Sequence, residues 1–327
     1  MPNWLLPDYV SDVLPSEALR LERLRRTLLD HYAARGYQFF IPPLLEYVES
    51  MRVQGADDLE RRSFRLTDPG TGRLLSLRPD ITPQAVRVDA HLMDGQGVNR
   101  LCYAASAVLA VPSGVAPSRE SFQLGCELFG EAGLSADLEI QALALESLKL
   151  AGLQEVHLNL SDRGILSALK AQVPGLIPIE QALTQALAAK DPVALRLATQ
   201  GLEPAAQQVL QSLLQLYGPP GGEEGVLARA RRVLPGCAAL TACLDRLEAV
   251  SQSAVFTEHP RCRLSMDLAD LQGWRYHNGL LFSVYAEGHP DALLRGGRYD
   301  GMGEAFGRAR PATGFSLELR ALASLTE

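Results

Sequence analysis

Apolar residues Leu21, Leu24, Leu28 and Tyr32 recur at spacings of three and four behind Pro15, and the pattern stops at Gly36, which predicts an amphipathic helix over 15–35. Directly after it, YQFFIPP reads as a short strand closed by Pro42 and Pro43. FRLTDPGTGRLLSLRP, residues 64–79, alternates on both sides of a glycine-bearing turn and predicts an antiparallel hairpin. Two further strands are expected at about 100–109 and 121–130, with a helix over 135–151. From about 161 to 255 the pattern becomes helical and rich in Ala, Leu and Gln, broken by GPPGG at 218–222. Strand patterns return at 263–268 and 280–287, and a last short helix is expected from about Glu318. In between, LLRGGRYDGM reads as a tight turn leading into a helix.

Strands on either side of a helical block predict an α+β fold, an antiparallel sheet flanked by helices with an inserted helical subdomain. The expected division is 1–160 with 256–327 as one discontinuous domain, and 161–255 as the insertion. At 327 residues the chain can bury a sizeable core.

Charge narrows the partners. The net charge is −7, and all 31 basic residues except Lys149, Lys170 and Lys190 are arginine. An acidic chain is a poor nucleic-acid binder, so no nucleic-acid partner is expected. The N-terminus has no basic segment followed by an apolar run of signal length, and no stretch reaches membrane-spanning length, so no membrane partner and a cytoplasmic location are expected. The five cysteines include no C-x-x-C pair and no histidine at ligand spacing, which argues against a metal site and a disulfide framework; Cys102 and Cys126 read as small buried hydrophobes.

GYQFFIPPLLEYVE, LRPDITPQAVR, RESFQLGCELFG, LLRGGRYDGM and ATGFSLEL occur in the order of the class II aminoacyl-tRNA synthetase motifs. Together they resemble the catalytic domain of histidyl-tRNA synthetase along nearly the whole chain. The resemblance implies which positions would hold a nucleotide, and here they are altered. Leu109 and Val111 stand where the second motif places an arginine and a glutamate, and Pro117 replaces a basic loop residue. Gln272 replaces the arginine ahead of a Gly-Leu-Asp-Tyr-Tyr run, and the third-motif arginine falls on Ala321, with Arg320 rotated by about 100° on the helix. Adenylation needs cations around developing charge, and each one missing costs on the order of a hundredfold in rate. No ATP and no other cofactor is therefore expected against GGRYDG, and no catalytic residue is assigned.

The amino-acid half is different. Asp80 and Thr82 stand where the family receives the α-ammonium of histidine, and Gln123 and Glu127 share one face of a strand because their separation is even. Carboxylates and an amide oxygen suit an ammonium and an imidazole N–H, and Tyr276 or His277 could close the ring side.

A synthetase-like domain with these alterations, ending six residues after Ala321 where a synthetase continues into an anticodon-binding domain, is similar to the ATP phosphoribosyltransferase regulatory subunit family. That resemblance implies a non-catalytic partner of a short-form catalytic subunit, a homodimer joined through the first helix and the IPP strand within a hetero-oligomer, and histidine as effector. An ATP-dependent amino-acid ligase using Arg298, Arg308, Arg310 and Arg320, and a binding module for another amino acid, stay open as alternatives.

Overall fold

The computed structural model describes residues 4–51, 57–112, 114–270 and 276–326. The chain divides into two compact units: Met1–Glu155 with Trp274–Tyr276 and Tyr285–Glu327, and Val156–Gly273 with His277–Val284.

The first unit opens with α1 (Pro15–Ala34), where Pro at the first turn needs no N–H partner and the apolar stripe buries Leu28 and Tyr32. β1 (Gln38–Phe39) is short because Pro42 and Pro43 lack the N–H groups that a ladder requires. β2 (Leu45–Tyr47) follows, then α2 (Asp57–Arg62), and β3 (Arg65–Thr67) and β4 (Leu74–Leu77) form the expected hairpin. These three strands make a small sheet in the order β2-β4-β3. α3 (Thr82–Leu92), β5 (Asn99–Val108), β6 (Glu120–Phe129) and α4 (Leu134–Leu150) complete the N-terminal part. α3 was not among the expected elements: its first turn, Thr82 to Val86, is buried wholesale, so it carries no clean amphipathic stripe.

In the second unit, β7 (Val156–Asp162) precedes α5 (Gly164–Gln172), α6 (Glu180–Ala188), α7 (Pro192–Thr199) and α8 (Pro204–Leu213). β8 (Tyr217–Gly218), α9 (Val226–Val233), α10 (Ala238–Ser251), α11 (Ala254–Glu258), β9 (Cys262–Asp267) and β10 (Leu280–Tyr285) follow. β7 and β9 pair in parallel, and β8 pairs antiparallel to β9. The helices between 161 and 255 thus belong to the same compact unit as β7 and β9.

The chain returns to the first unit with β11 (Leu294–Arg298), β12 (Ala312–Glu318) and α12 (Leu319–Leu325). LLRGGRYDGM is therefore a strand paired antiparallel to the next, joined through a short 3₁₀ turn over Met302–Phe306, and not the expected turn and helix. Its glycines obscure the strand because a residue without a side chain adds nothing to the alternation by which a strand is read.

The strands of the first unit run in the order β1-β5-β6-β12-β11, antiparallel except for the β1–β5 pair. α1 and α4 cover one face, where Tyr32 meets Phe315 edge-on and donates or accepts a hydrogen bond with Ser147. Cys102 and Cys126 are buried opposite one another on β5 and β6 as free thiols. Among the described residues, no helix is long and apolar enough to cross a membrane.

Candidate functional site

On the sheet face opposite α1 and α4, the site begins with a turn fixed from below. Arg78 is buried, and its guanidinium donates to the carbonyls of Pro42, Pro43 and Ser106 at 2.7, 3.0 and 2.6 Å. The IPP and RPD segments are thereby tied together, because a proline pair leaves carbonyls but no N–H groups for pairing. This fixes Asp80 just before the buried N-terminus of α3.

Around that turn the structure gathers Asp80, Thr82, Gln123, Glu127 and Tyr276. The Ile81 N–H donates to Asp80 Oδ1 at 2.9 Å and to Gln123 Oε1 at 3.2 Å. Tyr276 donates to Asp80 Oδ2 at 3.2 Å, and Thr82 donates to Glu127 Oε1 at 2.9 Å. Two further hydroxyls reach Glu127: Tyr103 at 3.1 Å on Oε1, and Tyr299 on Oε2. Asp80 and Glu127 are each 1% exposed. Burial pushes the Asp80 carboxyl up to about 6 and the Glu127 carboxyl up to about 8; hydroxyl donors hold both lower than burial alone would, joined at Asp80 by backbone N–H groups, while the neighbouring Asp80 charge adds to the rise at Glu127.

Two glycines make this packing possible. A Cβ on Gly314 would lie 1.6 Å from Glu127 Oε2, and one on Gly125 would lie 2.5 Å from the Tyr103 hydroxyl. Gly314 pairs directly with Glu127, so the bare backbone of β12 is the space into which the carboxyl folds. Tyr103, Tyr299, Gly125 and Gly314 were not singled out from the sequence. The signal present was the evenness of spacing along each strand, which needs the strand register to become a neighbourhood.

His277 is half-buried and falls in the second unit. Of the altered nucleotide positions, Gln272 lies outside the described residues. Leu109 follows β5 and bridges to Ser63, while Val111 and Pro117 are exposed in the following loop and Ala321 lies on α12. In that loop the Val115 and Ala116 N–H groups donate to the Asp291 carboxylate at 2.9 and 3.0 Å, so backbone donors that would suit an anion are satisfied internally.

The arginines of the ligase alternative are engaged elsewhere. Arg298 is buried against Asp137 at 2.9 Å and also donates to the Glu131 and Gly133 carbonyls. Arg310 pairs with Asp89 at 3.0 Å, Arg308 reaches Asp89 at 3.6 Å, and Arg320 donates to Ser11 at 3.1 Å near Glu17. GGRYDG thus anchors the sheet through Arg298 and also feeds the cluster through Tyr299.

A family model for histidyl-tRNA synthetase matches residues 9–322. The chain is 48% identical over 326 residues to the ATP phosphoribosyltransferase regulatory subunit of Ralstonia nicotianae, covering 100% of this chain and 82% of that protein. It is 47% identical over 326 residues to the protein of the same name from Paraburkholderia phytofirmans, covering 100% and 83%. Among solved structures, an ATP phosphoribosyltransferase regulatory subunit/histidyl-tRNA synthetase from Bacillus halodurans aligns with a TM-score of 0.85 at 26% identity, covering 99% of this chain and 84% of that one. A histidine–tRNA ligase subunit from Alicyclobacillus acidocaldarius shares the fold, with a TM-score of 0.77 at 24% identity over 98% and 97% of the two chains. The matched synthetase motifs and the near-half identity along the whole length place the chain in the histidyl-tRNA synthetase-like family of ATP phosphoribosyltransferase regulatory subunits.

Proposed function

We propose that the chain is the non-catalytic regulatory subunit of an ATP phosphoribosyltransferase in the cytoplasm, assembled with a short-form catalytic subunit, and that it senses histidine in the Asp80–Glu127 cluster. The observation that carries the sensor reading is the buried acidic pair, held by four side-chain hydroxyls, beside a loop whose anion-binding donors are filled by Asp291. Unpaired carboxyls are costly to bury, and such a cluster suits a ligand that brings its own positive charge. An arriving α-ammonium favours the carboxylate form of Glu127, so binding releases a proton when the empty pocket holds Glu127 neutral.

The partner catalyses condensation of ATP with phosphoribosyl pyrophosphate, the opening step of histidine biosynthesis. Histidine regulates it by binding one arrangement of the assembly more tightly than another, since a ligand shifts an equilibrium only by its differential affinity. Exposed Phe39, Ile41 and Leu44, at and just past the edge strand β1, support a homodimer through that edge and α1.

Reconstitution tests the reading. The chain alone is expected to lack phosphoribosyltransferase activity, and its addition to a short catalytic subunit should raise activity and confer histidine sensitivity. Glu127→Gln or Asp80→Ala should leave the complex active while weakening inhibition by more than about tenfold, the cost of removing one side of a desolvated charge pair. A catalytic subunit equally active and equally inhibited without this chain overturns the proposal.

A further inference from the structure

The cluster offers carboxyls and hydroxyls, but an α-amino acid is a zwitterion, and its carboxylate needs a cation near Glu127. Strand register indicates where one stands. Ser316 on β12 lies opposite Gly125 on β6 and opposite Arg295 on β11, and Gly125 lies opposite Tyr103 on β5. Directly paired residues point to the same face, so Arg295 shares a face with Tyr103, Gln123 and Glu127, one row along from the Glu127–Gly314–Gly297 row. Two strand spacings put Arg295 about 10 Å across and about 7 Å along from Glu127 at the backbone. A long side chain together with the backbone atoms of an amino acid fills that span.

Exposure points the same way. Leu294, Gly296, Gly297 and Arg298 are buried, and Arg295 is the exposed position of β11, although the strand is paired along its length to β12. A charged residue exposed from the middle of a paired strand is directed out of the sheet toward solvent.

Resting on the histidine-pocket reading above, we propose that Arg295 receives the α-carboxylate of the amino acid whose ammonium is held by Asp80 and Glu127. The site then reads zwitterionic α-amino acids in preference to simple amines. Arg295 supplies, from a different strand, the cation that a synthetase would place at the position of Leu109.

Isothermal titration of the full chain with histidine and with histamine, which lacks only the carboxylate, tests this in the wild type and in the Arg295→Gln, Arg295→Lys and Glu127→Gln variants. Wild type should prefer histidine by about tenfold or more, and Arg295→Gln should erase that preference by weakening histidine while leaving histamine within about twofold. Arg295→Lys should retain part of the preference, because a point charge replaces a planar fork. The proposal is overturned if Arg295→Gln weakens both ligands alike or neither, or if wild type binds histamine as tightly as histidine. If Glu127→Gln weakens both ligands but Arg295→Gln leaves histidine untouched, Arg295 alone is excluded. If Glu127→Gln changes neither affinity, histidine binds elsewhere, and the pocket reading falls together with the proposal.

Discussion

On the sheet face opposite α1 and α4, Asp80, Thr82, Tyr103, Glu127 and Tyr299 are almost wholly buried, and Glu127 accepts from Thr82, Tyr103 and Tyr299; in the loop after β5, Val111 and Val115 stand 58% and 74% exposed. Both regions occupy positions that the resemblance assigns to one active site. The difference lies in what each costs to keep. A pair of desolvated carboxyls lowers stability, and such a pair persists where a ligand or a network compensates for it. The loop carries small apolar side chains in place of charged ones, and its backbone donors are closed by Asp291. On the proposed reading, one half of the site is arranged for a cation, and the other is surface.

The largest expected effect concerns the framework beneath both. Arg298→Ala strands Asp137 in a buried position without its cation, and should cost about 3–5 kcal/mol in urea denaturation. A loss near zero would mean that the pair does not hold β11 against α4.

Gly314→Ala comes next. The added methyl must displace the Glu127 carboxyl, so a loss of roughly 1–3 kcal/mol is expected together with weaker histidine binding. Adding Glu127→Ala should recover part of that stability by removing the atoms that clash. If the double variant is no more stable than the single one, strain on the Cys126 carbonyl side accounts for the loss instead.

The third effect is a pH dependence. Glu127 titrates near 8 in the folded chain and near the ordinary carboxylate range when unfolded, so the native state binds more protons across the interval between them. Its contribution to stability therefore falls as pH rises from about 4.5 to about 8. Glu127→Gln removes that fall, and its stability should gain on the wild type with rising pH, by about 3 kcal/mol between pH 5.5 and pH 9. Parallel melting curves at pH 5.5 and pH 9 would contradict the assignment.

The smallest effect belongs to the loop. Leu109→Arg should alter stability by no more than about 0.5 kcal/mol and should bring no ATP-dependent pyrophosphate exchange, because a single cation does not rebuild a phosphate grip. Measurable exchange would reopen the ligase alternative.

The first helix, the hairpin, both long strands of the second motif and α4 were all legible within a residue or two, because each is amphipathic or alternating over its own length. β7 and β11 were not: β7 alternates as VHLNLS, but over a short stretch set between two helical sequences, and two of the five residues of β11 are glycine. Asp80, Thr82, Gln123, Glu127 and Tyr276 could be named from motif order and even spacing. The hydroxyls of Tyr103 and Tyr299 could not, since they come from strands whose neighbours are set by pairing across the sheet.

By itself, then, the sequence determined which residue types were available: carboxyls at Asp80 and Glu127, and an uncharged side chain at each altered nucleotide position. Only the tertiary structure decided what those carboxyls experience. Their burial, the three hydroxyls on Glu127, and the alignment of Gly314 beneath it depend on register between strands far apart in the chain. Local periodicity encodes which face of an element is apolar, but register is settled by long-range packing, and it is register that sets the charge state of a buried acid.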